Sequence, residues 1–210
     1  MSVPFAGSLL EEGWRAARDG RRLPLGAGAA LVVTLAAFLY RPLDVGTTFA
    51  NSHLSLGIAH EVAGRPEEAL AEYRAGLALE PANAKLLRRA ARIASDRAAA
   101  GGDLPAALEL LGRAVAANPA DADLRFRRGV LLGGAGRVAE AAAELEQVLE
   151  LGEEPPGIHA NLAIAYDLLG RTEEAAAQAR LALERDPGDE GMRELLRRGA
   201  EQPAGPGLPR

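Results

Sequence analysis

Apolar and polar positions follow two different patterns along this chain. From Leu23 to Tyr40 the stretch LPLGAGAALVVTLAAFLY passes without a charge. A helix of that length rises about 27 Å at 1.5 Å per residue, close to the ~30 Å hydrocarbon core of a bilayer. Arg21 and Arg22 bound the run on one side and Arg41 on the other, while Trp14 and Tyr40 suit the interfacial aromatic belts. The pattern predicts one transmembrane helix over 23–40. A buried helix of a soluble protein gains nothing from arginine brackets. A cleaved leader would carry Glu11, Glu12 and Asp19 and would offer only the poor cleavage site Thr48-Phe49-Ala50, so a retained anchor is favoured.

The flanks set an orientation. Arg15, Arg18, Arg21 and Arg22 precede the run, whereas Arg41 is followed by no basic residue until Arg65. The positive-inside rule puts the N-terminus in the cytoplasm and the long C-terminal part outside, as a single-pass protein of the cytoplasmic membrane. Residues 1–22 form a cytoplasmic or interfacial segment in which Phe5, Leu9, Leu10 and Trp14 share one side of a short helix. Residues 41–49 read as a linker.

Beyond residue 50 the pattern changes to helical stripes punctuated by glycine and proline. A glycine leads each of four similar segments: Gly64-Arg65-Pro66-Glu67-Glu68-Ala69, Gly102-Asp103-Leu104-Pro105-Ala106-Ala107, Gly136-Arg137-Val138-Ala139-Glu140-Ala141 and Gly170-Arg171-Thr172-Glu173-Glu174-Ala175. The last three glycines are evenly spaced, and the interval from Gly64 to Gly102 is slightly longer. The even interval, about 34 residues built from two helices, is the period of the tetratricopeptide repeat (TPR). In the first unit, His53-x2-Leu56-Gly57-x2-His60 stands where that family has Trp-x2-Leu-Gly-x2-Tyr, followed by Ala69-x3-Tyr73 and Pro81. The fourth has His159-x2-Leu162-Ala163-x2-Tyr166, Ala175-x3-Ala179 and Pro187, and the third has Arg125-x2-Arg128-Gly129-x2-Leu132 and Ala141-x3-Leu145. The second keeps Ala107-x3-Leu111 and Pro119 but has four extra residues, about one helical turn, which predicts an elongated first helix over roughly 83–100.

The chain therefore resembles a TPR protein over about residues 50–188. The resemblance implies an all-α solenoid of four helix-turn-helix repeats (50–83, 84–121, 122–155 and 156–189) closed by a capping helix over 190–198, with residues 199–210 a tail. Gly57, Gly129 and Ala163 let the paired helix approach, as do Ala69, Ala107, Ala141 and Ala175 from the other side. Gly64, Gly102, Gly136 and Gly170 end the first helices in a left-handed cap. Leu56, Leu77, Leu79, Leu108, Leu111, Val115, Leu145, Leu149, Leu162, Leu181 and Leu183 are expected in the seams between stacked helices, because no single unit can bury its own apolar face.

Composition removes several chemistries. There is no cysteine, which excludes a disulfide framework, a thiolate metal site and a cysteine nucleophile, and the net charge of −5 gives no footprint for nucleic acid. His60-Glu61 lacks the second histidine of a zinc-protease helix, and the three histidines fall at the family's aromatic packing positions. Glu67-Glu68 and Glu173-Glu174 sit where they complement the dipole of the second helices. No catalytic residue, metal ligand or cofactor is expected.

What remains is a partner surface. The family's first helices line a concave groove that holds peptides or helices, and register places Leu54, Ile58, Arg92, Asp96, Phe126, Arg127, Val130, Asn161 and Ile164 there. Chaperone-binding members grip a carboxylate with lysines and asparagines, of which this groove has only Asn161. An apolar groove flecked with arginine suits an amphipathic helix or an extended apolar segment of a partner protein; Leu54, Ile58 and Phe126 equally fit a packing role. The reading is a membrane-anchored scaffold. The alternative is the repeat-bearing C-terminal end, or a split subunit, of a polytopic glycosyltransferase using a polyprenyl-phosphate sugar donor, suggested by Val3-Pro4-Phe5 opening into a membrane-proximal helix.

Overall fold

The computed structural model describes residues 45–201, with side chains from Phe49 onward. The expected membrane helix over 23–40, the segment 1–22 and residues 202–210 lie outside the described residues. Among the described residues no helix is long and apolar enough to cross a membrane.

The described chain is all α-helical: α1 (Val45–Val62), α2 (Pro66–Leu79), α3 (Ala84–Ala99), α4 (Leu104–Ala117), α5 (Ala122–Gly134), α6 (Val138–Glu150), α7 (Ile158–Leu168), α8 (Thr172–Arg185) and α9 (Glu190–Glu201). Helices α3 and α4, α5 and α6, and α7 and α8 pack as antiparallel pairs, and each pair stacks on the next through α2–α3, α4–α5, α6–α7 and α8–α9. The first helices of successive repeats also meet, α3 against α5, α5 against α7 and α7 against α9, so they form one continuous row.

The pairing depends on small residues opposite large ones. A Cβ on Gly57 would lie 2.2 Å from the Tyr73 ring, and one on Gly129 would lie 2.9 Å from the Leu145 side chain. Ala163 and Ala179 are both fully buried at the equivalent crossing of the fourth repeat. The first helices of the first, third and fourth repeats end in a left-handed glycine, with φ of +71° at Gly64, +75° at Gly136 and +72° at Gly170. In a typical closure, the amide of Arg65 donates to His60 O at 2.9 Å.

The structure corrects four expectations. In the second repeat the left-handed residue is Gly101 (φ +94°), not Gly102, whose amide instead closes the turn on Arg97 O at 2.8 Å. The four extra residues thus divide into three in α3 and one in the turn before α4. Leu56, Leu79 and Leu181 are exposed rather than in the seams, because no neighbouring side chain covers them. Helix α1 starts at Val45, inside the segment read as linker, and α9 runs on to Glu201, beyond the end assigned to the cap. That cap still works as expected. Met192 and Leu195 are buried against the fourth repeat, and the opposite face carries Arg193, Glu194, Arg197 and Arg198.

The buried apolar side chains form two clusters, one from Ala50 to Leu131 and one from Ala142 to Leu195. The change falls in the third repeat. Arg125 and Arg128 occupy the tryptophan- and leucine-like positions. Both pair with Glu144 of α6, Arg125 at 3.0 Å and Arg128 more closely, with the Glu144 side chain only 12% exposed. Glu144 stands where Glu72 meets His53 and Gln178 meets His159, so the third repeat differs in having arginine at both first-helix positions.

Candidate partner-binding groove

Ion pairs run from one first helix to the next among the candidate groove residues. Arg92 Nε is 3.8 Å from Asp123 Oδ2, and Arg127 reaches back from α5 to Asp96 Oδ1 on α3 at 2.5 Å. Arg127 also donates to Asp123 at 3.0 Å and to Ser95 Oγ at 3.0 Å. Arg88 bonds the buried Asp121 carboxylate at 2.9 Å, the same group that caps α5 by accepting from the Leu124 amide at 3.3 Å. These pairs make a charged belt across the first helices of the second and third repeats. Arg127 is held in its cationic form by the Asp96 and Asp123 carboxylates, against the cost of its partial burial. The guanidinium is committed to the fold and is not a free donor for a ligand.

Apolar residues stand on either side of the belt. Towards the N-terminus are half-buried Leu54 and Ile58, with Leu54 packed on the first core cluster. Towards the C-terminus, Val130 is 37% and Ile164 47% exposed. They lie one repeat apart and share one register position on the adjacent helices α5 and α7. Helix α7 buries Ile158, His159, Leu162, Ala163, Ala165 and Tyr166, so Ile164 faces outward from the core side. Phe126 packs partly against the second core cluster, and Asn161 donates to Gly157 O at 2.9 Å and serves the start of its own helix. The candidates therefore divide. Ile58, Val130 and Ile164 present apolar surface, Leu54 and Phe126 are shared with the core, and Arg92, Asp96 and Arg127 form the belt.

Sequence reasoning missed two members of this surface. Leu168, 66% exposed, lies one turn beyond Ile164, and Val62 lies one turn beyond Ile58. The signal is an i, i+4 repetition of the apolar position already chosen.

The histidines do packing work. His159 is buried with Nδ1 2.7 Å from Gln178 Oε1, and His53 Nδ1 is 2.7 Å from Glu72 Oε2 in the equivalent place. Half-buried His60 keeps Nδ1 out of solvent without a hydrogen bond. Tyr73 donates to Glu61, which Arg89 also contacts at 3.2 Å. Tyr166 donates to Glu146 at 2.9 Å beneath the Arg171 guanidinium, 4.1 Å from the ring centroid. Burial, reinforced by the Glu146 carboxylate, pushes the Tyr166 hydroxyl up to about 12. Among the described residues no three His, Asp or Glu side chains gather as a metal site.

A stack of helical hairpins with a continuous row of first helices defines a repeat solenoid. Tetratricopeptide-repeat models match residues 50–93, 94–144 and 128–190, and the chain belongs to the TPR family. A solved structure of MamA (AMB-1) is 26% identical, covering 91% of this chain and 97% of its own, with a TM-score of 0.60. YrrB, described as a TPR protein with an unusual peptide-binding site, is 19% identical over 71% of this chain and 75% of its own, with a TM-score of 0.62. An O-GlcNAc transferase of Thermobaculum terrenum is 22% identical over 67% of this chain but 26% of its own, with a TM-score of 0.52. No curated protein matches the sequence.

Proposed function

We propose that this chain is a membrane-anchored adaptor without catalytic activity of its own. The segment 23–40 tethers the array outside the cytoplasmic membrane, with the N-terminus inside, and the groove captures an apolar segment of a partner protein. The observation that carries the groove reading is the exposed set Val130, Ile164 and Leu168, placed by register on the face opposite to the one α7 buries. Apolar side chains on that face add nothing to the stacking of the repeats, and apolar anchors of this kind drive helix-in-groove and extended-peptide recognition. The likeness to YrrB, a peptide-binding TPR protein by its description, agrees with a peptide or protein as ligand. Tethering raises the effective concentration near other membrane proteins, so a weak groove affinity suffices.

The test is an immunoblot of native fractions against the repeat region, with protease added to intact and to opened cells. A band near 21.9 kDa that stays with carbonate-washed membranes and is cut from outside supports the anchored adaptor. A soluble band overturns the anchor. A much larger membrane band instead favours the repeat-bearing end of a larger membrane enzyme.

A further inference from the structure

The two ends of the array differ in the face they turn outward. At the C-terminal end, α9 carries Arg193, Glu194, Arg197 and Arg198 on its outer side, all exposed. That is the polar closure a terminal repeat needs to stay in solution. Among the described residues no helix precedes α1, so its outer side forms the other end. There Phe49 is 55% and Leu56 51% exposed, and Ser52 and Ala59 are exposed as well. In the fourth repeat the positions of Ser52, Leu56 and Ala59 are held by Ile158, Leu162 and Ala165, none more than 5% exposed, and there α6 packs on α7. The open side of α1 is a stacking face.

Charge separates the two ends further. Apart from its histidines, the only ionisable side chain in α1 is Glu61, which Tyr73 and Arg89 hold, Arg89 at 3.2 Å. His53 is committed to Glu72 at 2.7 Å. Phe49, Ser52, Leu56 and Ala59 follow one another at intervals of three and four, which is the a and d spacing of a two-helix seam. A seam without charge is complementary to a second copy of itself, because nothing on it repels. A head-to-tail stack would instead press it on the charged face of α9, at a desolvation cost that an apolar surface does not repay. What is left is a closed pair about a two-fold axis, with the same patch contributed by both chains.

We infer that the outer side of α1 is a homodimer surface. Two chains meet through Phe49, Leu56 and Ala59, and each α1 covers for its partner the face that a preceding hairpin covers in the later repeats. Leu56 lies at the centre of this seam. Ile58, the groove candidate on the same helix, is two residues on and so about 200° around from it. The pairing therefore does not depend on the groove reading and leaves that face open.

The experiment uses the full chain in a mild non-ionic detergent, with the protein mass read by light scattering after size exclusion over a concentration series. The wild type is expected to reach twice the 21.9 kDa chain mass. Leu56→Asp sets two carboxylates against each other and should raise the dimer Kd about tenfold or more. Its melting temperature at low concentration should match the wild type, because Leu56 is half exposed. The chain has no cysteine, so Leu56→Cys carries a single thiol, and a short bismaleimide should link it into a dimer while Glu194→Cys on α9 stays monomeric. A wild type that is monomeric at every concentration refutes the pairing, and slow maleimide labelling of Leu56→Cys would then show another part of the same chain on that face. A dimer that Leu56→Asp leaves intact refutes it too, since the contact then lies elsewhere. Linkage between mixed Leu56→Cys and Glu194→Cys chains would replace the two-fold pair with a head-to-tail stack.

Discussion

Glu144 is the residue whose removal tests the account of the third repeat most directly. It holds two guanidinium groups, with side-chain exposures of 12% for Glu144, 15% for Arg125 and 27% for Arg128. Deleting one member of a fully buried ion group costs about 3–5 kcal/mol, because a charge is left in a poor solvent. Here both arginines keep some water, which lowers the expected loss for Glu144→Ala to about 2–3 kcal/mol. For a chain of this size that is a fall in melting temperature of roughly 4–12 °C. Replacing all three charges, as Arg125→Leu, Arg128→Leu and Glu144→Leu together, leaves no lone charge behind and should be neutral or stabilising by up to about 4 kcal/mol. The bond from Arg125 Nε to Pro119 O is exposed, so water can replace it. Circular dichroism melts of the wild type, the single and the triple variant, at low and high salt, give both numbers. The reasoning is refuted if Glu144→Ala melts with the wild type, or if the triple variant melts below the single one.

Three further outcomes follow from packing and ionisation. Gly57→Ala should lower stability by about 1–3 kcal/mol, because the added methyl meets the ring of fully buried Tyr73; Gly129→Leu should lower it further, and an unchanged thermal melt of either would show the crossing to be misplaced. With the Tyr166 hydroxyl held near 12 in the fold and near about 10 when unfolded, the proton is bound more tightly in the native state, so stability is whole below pH 10 and declines as pH climbs to about 12. Tyr166→Phe should remove part of that alkaline loss in pH-dependent melts, and an identical alkaline slope would show that Tyr166 does not carry it. Phe126→Asp should lower the melting temperature as well as partner capture, because Phe126 packs on the second core cluster; normal melting with lost capture would move Phe126 wholly into the groove.

Much of the fold is legible in residue types that have a single physical use. A left-handed helix end wants glycine, a tight crossing wants glycine or alanine opposite a large side chain, and a helix that must stop is followed by proline. Those constraints recur once in every repeat, so the caps at Gly64, Gly136 and Gly170 can be read from the sequence alone. Gly101 and Gly102 are not distinguishable in that way, because either glycine fits the cap and only the Gly102–Arg97 closure selects between them. Exposure of single leucines is also illegible. Leu56 and Leu162 hold the same register position, yet one is 51% exposed and the other fully buried, a difference the residue itself does not carry. In the groove, sequence register assigns the candidates to one row of helices, but it does not show which arginines are already bonded. Arg127 reads as a free cation in the sequence and is bound to two carboxylates in the fold.

The third repeat links the two halves of this account. It carries Arg125 and Arg128 where the fourth carries His159 and Leu162, and the apolar core divides there into two clusters. Its groove face carries Arg127 and Asp123, which tie α5 to α3. In a repeat array, stability is a sum of repeat and neighbour terms, so a weak apolar seam must be offset locally. The exposed pair of the belt, Arg92 with Asp123, contributes little, since pairs that reach water are worth at most about 1 kcal/mol each. The triad of Arg125, Arg128 and Glu144, with Glu144 12% and Arg125 15% exposed, is better shielded from water and is costlier to break. On the proposed groove reading, with Arg127 held by Asp96 and Asp123, the C-terminal half of that face offers Val130, Ile164 and Leu168.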